Sequence, residues 1–241
     1  DHSPLIHRDS ICGSEDKWDE VQFDVILENP PFSGDRSDAK RSLRIEKGDK
    51  YVLFLAHALR SLRSGGRAGI IFPNGILFGD SNSHIEVKRR LLKEFDLQAV
   101  VTLPKGMFEP YTPNPTCFFI FQKTGKPTQN VWFYKLEGDG SSLKKARKFG
   151  PQFRNDFPDL LAKWPKRETE KGRAWLVPAK LIEEKNYNMT LSALGLVEPE
   201  KVDHAEPEEI LESVATKEER IFDLIREMQE LLLEGNVNGK I

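Results

Sequence analysis

Apolar residues along the 241-residue chain fall into short runs, each closed by proline or glycine. Residues 24–27 (DVIL), with Phe23 before them, form the first run, which has the length of a buried strand. It stops at Asn29-Pro30-Pro31, where consecutive prolines exclude both a helix interior and a sheet ladder. Residues 33–50 are polar, carry six basic side chains and read as a loop. Over 51–62 the spacing changes to helical, with Val52, Phe54, Leu55, Ala58, Leu59 and Leu62 on one face and Gly65-Gly66 as the expected stop.

Further strands are expected at 67–72 (RAGIIF, closed by Pro73), 97–103 (LQAVVTL, closed by Pro104), 117–122 (CFFIFQ) and 131–136, with a helix over 85–95. Strands alternating with helices predict an α/β crossover sheet. The third and fourth strands have no helix between them, which predicts an antiparallel hairpin at the sheet edge.

The composition changes after residue 141. Ten basic side chains between Lys144 and Arg173 (Lys144, Lys145, Arg147, Lys148, Arg154, Lys163, Lys166, Arg167, Lys171, Arg173) are partly offset by Asp156, Asp159, Glu168 and Glu170. The segment fits either a solvated helical surface or phosphate contact. Near the C-terminus Leu211, Val214, Ile221, Ile225, Met228 and Leu232 follow steps of three and four, with Glu218 in the polar slot. This seam of about three heptads fits packing on its own domain or docking on a partner's helices. The expected organisation is 1–140, a helical or irregular extension over 141–204, and a terminal helix over 205–241.

Charge and cysteine content narrow the classes. There are 36 basic and 38 acidic residues, a net charge of −2, so nucleic-acid binding must come from a local patch or a partner. Two cysteines are too few for a disulfide framework, and the five histidines lack metal-ligand spacing. With no run of about 18 apolar residues to span a bilayer, a cytoplasmic protein without a metal is expected.

Asn29-Pro30-Pro31-Phe32, directly after a buried strand, lies where open α/β sheets bind ligands, although a merely rigid loop has the same signature. An exocyclic amino group on an aromatic ring is a poor nucleophile because its lone pair is delocalised. Methylating it calls for acceptors on both N–H bonds. The Asn29 side-chain carbonyl and the Pro30 backbone carbonyl suit that task, and Phe32 offers a stacking face.

The runs FDVILENPPFSG, GGRAGIIFPNGILFG and LLKEFDLQAVVTLPKGMFEPYTPNPTCFFIFQKTGK resemble adenine-N6 DNA methyltransferases. Among these they most resemble the modification (HsdM-type) subunits of type I restriction–modification systems. The resemblance is strong over 4–135, and NYNMTLSALG at 186–195 resembles that family's helical tail.

It implies the C-terminal half of a Rossmann-like methyltransferase sheet followed by a mainly helical tail, with S-adenosyl-L-methionine as methyl donor. It also implies Asn29, Pro30, Pro31 and Phe32 as the catalytic corner, with Asn29 also beside the cofactor and Phe32 stacked on a flipped-out adenine. Phe108 matches an aromatic covering the base's other face, and Asp9 matches an acidic residue contacting the cofactor's adenine. A core phenylalanine and a plain turn carboxylate are the alternatives for these two.

The implied partners are double-stranded DNA, a specificity subunit, a second modification subunit and a restriction subunit. NPPF is shared with protein glutamine methyltransferases, and a non-catalytic assembly module also fits the sequence. Two departures stand out. Glu28 precedes Asn29 where the family has a small or neutral residue, and no glycine-rich cofactor loop precedes Asp24. The second leads us to expect the C-terminal part of a longer protein, inactive alone, with an exposed apolar sheet edge.

Overall fold

The computed structural model describes residue 11 and residues 22–32, 49–198 and 207–237. The chain divides into two units, 1–198 and 199–241. Six strands, β1 (Phe23–Glu28), β2 (Leu62–Pro73), β3 (Asp96–Thr102), β4 (Thr116–Gln122), β5 (Asn130–Lys135) and β6 (Ala174–Pro178), form one sheet in the order β1-β2-β4-β3-β5-β6. The helices of this unit are α1 (Lys50–Ser61), α2 (Gly75–Phe78), α3 (Asn82–Glu94), α4 (Phe157–Lys163) and α5 (Ala179–Glu184). In the second unit α6 (Pro207–Val237) is a continuous helix.

The central strands are apolar on both faces, which is why they read as unbroken runs. On one face Val100, Phe119, Phe121, Val131 and Phe133 pack with Val52, Leu55 and Leu59 of α1 and Val87, Leu91 and Leu92 of α3. On the other, Ala99, Val101, Trp132 and Tyr134 form a second core, joined by Phe118, Ile120, Leu160 and Trp164. Burying each large apolar side chain contributes about 1.5–3 kcal/mol. Trp132 Nε1 donates to the Glu168 carbonyl at 3.1 Å, and Tyr134 Oη donates to Asp159 at 2.7 Å, so both polar tips are satisfied.

Two expectations are corrected. Gly65-Gly66 does not stop α1: the helix ends at Ser61, and both glycines lie within β2, where Gly65 N–H donates to the Lys123 carbonyl at 2.8 Å. A Cβ on Gly66 would meet the Arg63 and Asp24 carbonyls at 3.0 Å, so close backbone approach accounts for that glycine. The β3–β4 pair is antiparallel as expected but lies inside the sheet, because β5 adds in parallel to β3 and β6 follows β5. The terminal strands are β1 and β6, and on β1 Leu27 is 77% exposed and Phe23 and Val25 about half exposed.

Strand direction decides where function can sit. β1, β2, β3 and β5 run parallel to one another, with antiparallel β4 between β2 and β3. Their carboxyl ends share one edge of the sheet. The chain leaving each of them, at 29–32, 74–79, 103–115 and 136–156, therefore starts from that edge.

Part of the basic middle segment is neutralised within the fold. Arg147 pairs with Asp139, Arg154 with Asp156 at 2.8 Å, Lys163 with Asp159 and with Glu170 at 3.0 Å, and Arg173 with Asp159 at 3.4 Å. Among the described residues no helix is long and apolar enough to cross a membrane, and no group of three or more His, Cys, Asp or Glu could hold a metal.

Candidate active site

Beyond Glu28, which pairs with Ile70 at the end of the β1–β2 ladder, the two prolines have no N–H with which to continue it. Pro30 is buried and anchors the corner, while Asn29 and Pro31 are exposed and Phe32 is half-buried. From β3, with β2 and β4 lying between, the 103–112 turn comes back to meet it. That turn is held by Met107 N–H to Pro104 O (3.2 Å), Tyr111 N–H to Phe108 O (2.8 Å) and Thr112 N–H to Phe108 O (3.0 Å). Gly106 sits at φ +86°, and a side chain there would run into the Leu143 carbonyl.

The corner and the turn enclose a cavity of about 430 Å³, lined by Asn29, Pro30, Pro31, Phe32, Phe108, Tyr111, Thr112 and Asn114. The Phe32 and Phe108 ring centroids are 6.5 Å apart with planes at 86°, an edge-to-face pair. Phe108 also walls an apolar cavity of about 380 Å³ with Met107, Phe118, Ile120, Trp132 and Trp164, so it borders two spaces at once. Among the described residues, the lining of the first cavity carries no formal charge. A flat, neutral, amino-bearing ring can enter it without desolvating an ion pair.

A charged neighbour among the described residues is Glu28. Its Oε2 is buried without a hydrogen-bond partner among the described residues, and burial pushes its pKa up to about 7. Asn74 Oδ1 and Thr116 Oγ1 are likewise buried and unpartnered among the described residues, at the end of β2 and the start of β4. All three oxygens belong to the edge where the site lies, a placement suited to ordered water or a polar ligand.

Of the expected site residues, Asn29, Pro30, Pro31, Phe32 and Phe108 are brought together, and Asp9 lies outside the described residues. Tyr111, Thr112 and Asn114 were not singled out from the sequence. Their signal was a polar turn between two apolar runs, at the carboxyl end of a parallel strand.

The family model described as N-6 DNA Methylase matches residues 2–204. The chain belongs to the N-6 DNA methylase family. Over 243 residues it is 30% identical to the type I restriction enzyme EcoEI methylase subunit of Escherichia coli, covering 95% of this chain and 48% of that protein. It is 24% identical over 173 residues to the EcoKI methylase subunit of Escherichia coli strain K12, covering 68% of this chain and 32% of that protein.

Among solved structures, one chain from work on complex assembly and conformational transition of the type I R-M system has a TM-score of 0.62 and 29% identity. The match covers 89% of this chain and 46% of that one. A modification subunit of a putative type I restriction enzyme from Vibrio vulnificus YJ016 has a TM-score of 0.55 and 32% identity, covering 68% of this chain and 35% of that one. This N-6 DNA methylase chain thus spans about half, or less, of the length of these relatives. The α/β sheet expected of such a methyltransferase, followed by helices, is the one observed.

Proposed function

We propose that this chain is the base-binding part of a site-specific DNA adenine-N6 methyltransferase subunit of a type I restriction–modification complex. The observation that carries the proposal is the convergence of Asn29-Pro30-Pro31-Phe32 and Phe108 on one cavity whose described lining is uncharged. Family membership implies S-adenosyl-L-methionine, which would supply an electrophilic methyl group when bound. Asn29, exposed at the mouth of the cavity, fits a position between donor and base.

The roles follow from the acceptor inventory. The Asn29 Oδ1 and the Pro30 carbonyl each accept one N6 hydrogen, drawing the nitrogen towards tetrahedral geometry and localising its lone pair. The lone pair so localised would accept the methyl group that bound S-adenosylmethionine supplies, and the surplus N6 proton would leave to water. Phe32 stacks on the purine, a contact worth about 1–3 kcal/mol per base, and Phe108, whose ring stands at 86° to that of Phe32, bounds the base from the side. The adenine must leave the duplex to reach this pocket. DNA, a specificity subunit and further modification and restriction subunits are the proposed partners, in line with the named relatives.

The experiment is methyl transfer from labelled S-adenosylmethionine to unmethylated duplex DNA by the full-length parent protein with its specificity partner. N6-methyladenine as the product supports the proposal. Label appearing on protein glutamine, or on no substrate, overturns it.

A further inference from the structure

The far wall of the base pocket is held by a residue from outside the motif-bearing segments. Arg147 lies in the 136–156 excursion that follows β5 and starts from the same sheet edge as the 103–112 turn. Its Nη1 donates to the Met107 carbonyl at 2.6 Å, one residue before Phe108. The rest of the guanidinium is fixed from behind. Nη2 pairs with Asp139, and Nε and Nη2 reach Ser141 Oγ at 3.2 and 3.0 Å. Asp139 Oδ1 in turn accepts from Ser141 N–H at 3.0 Å and from Ser141 Oγ at 2.7 Å. The Phe149 ring covers the guanidinium, with Cζ 5.1 Å from the ring centroid.

The same excursion touches the turn a second time, where the Leu143 carbonyl lies against Gly106. The turn that carries Phe108 is therefore gripped at Gly106 and at Met107. A five-donor planar fork bound on several sides suits such fixation better than a flexible ammonium.

We infer that Arg147 is a positioning residue of the base pocket, fixing the Phe108 face through the Met107 carbonyl, an inference that rests on the adenine-N6 reading above. Asp139 and Ser141 are the seat that aims it. Arg147 is not among the residues that line the cavity; its effect on the reaction passes through Phe108.

The test uses the full-length methyltransferase complex and compares Arg147→Ala, Arg147→Lys, Phe108→Ala and the Arg147→Ala/Phe108→Ala double variant. Readouts are kcat and KM for target DNA, cofactor affinity by calorimetry, and fluorescence of 2-aminopurine at the target adenine. Arg147→Ala is expected to lower kcat/KM by ~10–100-fold, the scale of a misplaced binding group. It should also change the 2-aminopurine signal and leave cofactor affinity unaltered, with Arg147→Lys recovering part of the loss.

In the Phe108→Ala background the Arg147 substitution should add nothing, whereas a purely structural role would multiply the losses. If Arg147→Ala fails to fold, Asp139→Asn and Ser141→Ala keep the guanidinium, loosen its seat and should show the same dependence on Phe108. Wild-type kinetics in the single variants, or multiplicative losses, overturn the inference alone. A wild-type complex that does not methylate adenine N6 overturns the underlying reading instead.

Discussion

Lys88 Nζ, wholly buried in α3, donates a 2.9 Å hydrogen bond to the Gly79 carbonyl and a longer one, 3.4 Å, to that of Leu77. It thereby ties the ILFG end of the segment after β2 to the core. Burial lowers its pKa to about 8, partly opposed by Asp80.

The sign of the consequence is fixed by linkage. Between about pH 8 and 10.5 the unfolded chain holds the Lys88 proton and the folded chain does not, so this residue makes stability rise with pH across that window. Lys88→Met should abolish the rise. Lys88→Ala should cost about 2–5 kcal/mol, the range for emptying a long buried side chain; it removes the Lys88 donor from the Gly79 carbonyl, while that of Leu77 keeps Met189 N–H at 2.9 Å. Urea unfolding at pH 7.5 and 9.5 checks both.

Glu28 gives the opposite slope. Its carboxyl pKa rises from 4.5 to about 7 through burial, so between those pH values the folded chain holds the proton that the unfolded chain has released. Stability therefore falls as pH climbs from 4.5 to 7 and stays lowered above it, by at most about 3 kcal/mol. Glu28→Gln, uncharged throughout, should match the wild type near pH 4.5 and exceed its melting temperature at pH 8. Equal melting temperatures at pH 8 would show that the carboxylate is hydrated or paired.

Asn29→Ala should remove ~10²–10³ of the methyl-transfer rate in the full-length complex, the usual cost of losing one preorganised polar contact to reacting atoms. Its side chain is exposed at the cavity mouth rather than built into the core, so folding and cofactor affinity should hardly change. Single-turnover rates with calorimetric cofactor titration separate these effects. A variant keeping more than about a tenth of the rate contradicts the acceptor role.

Phe32→Ala should weaken binding of the extrahelical base by roughly 5- to 150-fold, the equivalent of ~1–3 kcal/mol of stacking. Phe32→Tyr and Phe32→Trp preserve a flat face and should be tolerated better. Binding of duplexes with an abasic site at the target position, compared with intact duplexes in the wild type and in Phe32→Ala, reads the contribution of the stacked base.

Much of the sheet was legible because strands buried on both faces leave unbroken apolar runs, as in CFFIFQ, where Phe119 and Phe121 face one core while Phe118 and Ile120 face the other. β6 was missed because AWLVP is short and ends in proline, which reads as loop. Gly65-Gly66 was misplaced because a glycine pair marks a helix stop and a tight strand approach equally well. The corner at 29–32 and Phe108 were legible through a family resemblance. That they meet 6.5 Å apart depends on strand order, which no local pattern encodes. Arg147 was hidden for the same reason: as one of ten basic residues it looked like surface, and its partners Met107, Asp139 and Ser141 meet it only through the β3–β5 pairing.

The last expectation concerns α6. Of its seam, Leu211, Val214, Ile221, Ile225 and Met228 are all exposed, between 44% and 67%, on a continuous helix of 31 residues. Side chains of this size contribute about 1.5–3 kcal/mol each when covered, so a partner helix laid along the seam gains enough to form a stable dock. Shortening the full-length protein after residue 202 should abolish co-purification with the specificity subunit. A sharper version keeps the helix: Ile221→Glu with Ile225→Glu places two charges in the seam and should weaken the complex by at least about a hundredfold. Glu227→Lys, off the seam, should not. Equal complex formation by the seam and off-seam variants would mean that the partner does not read this face.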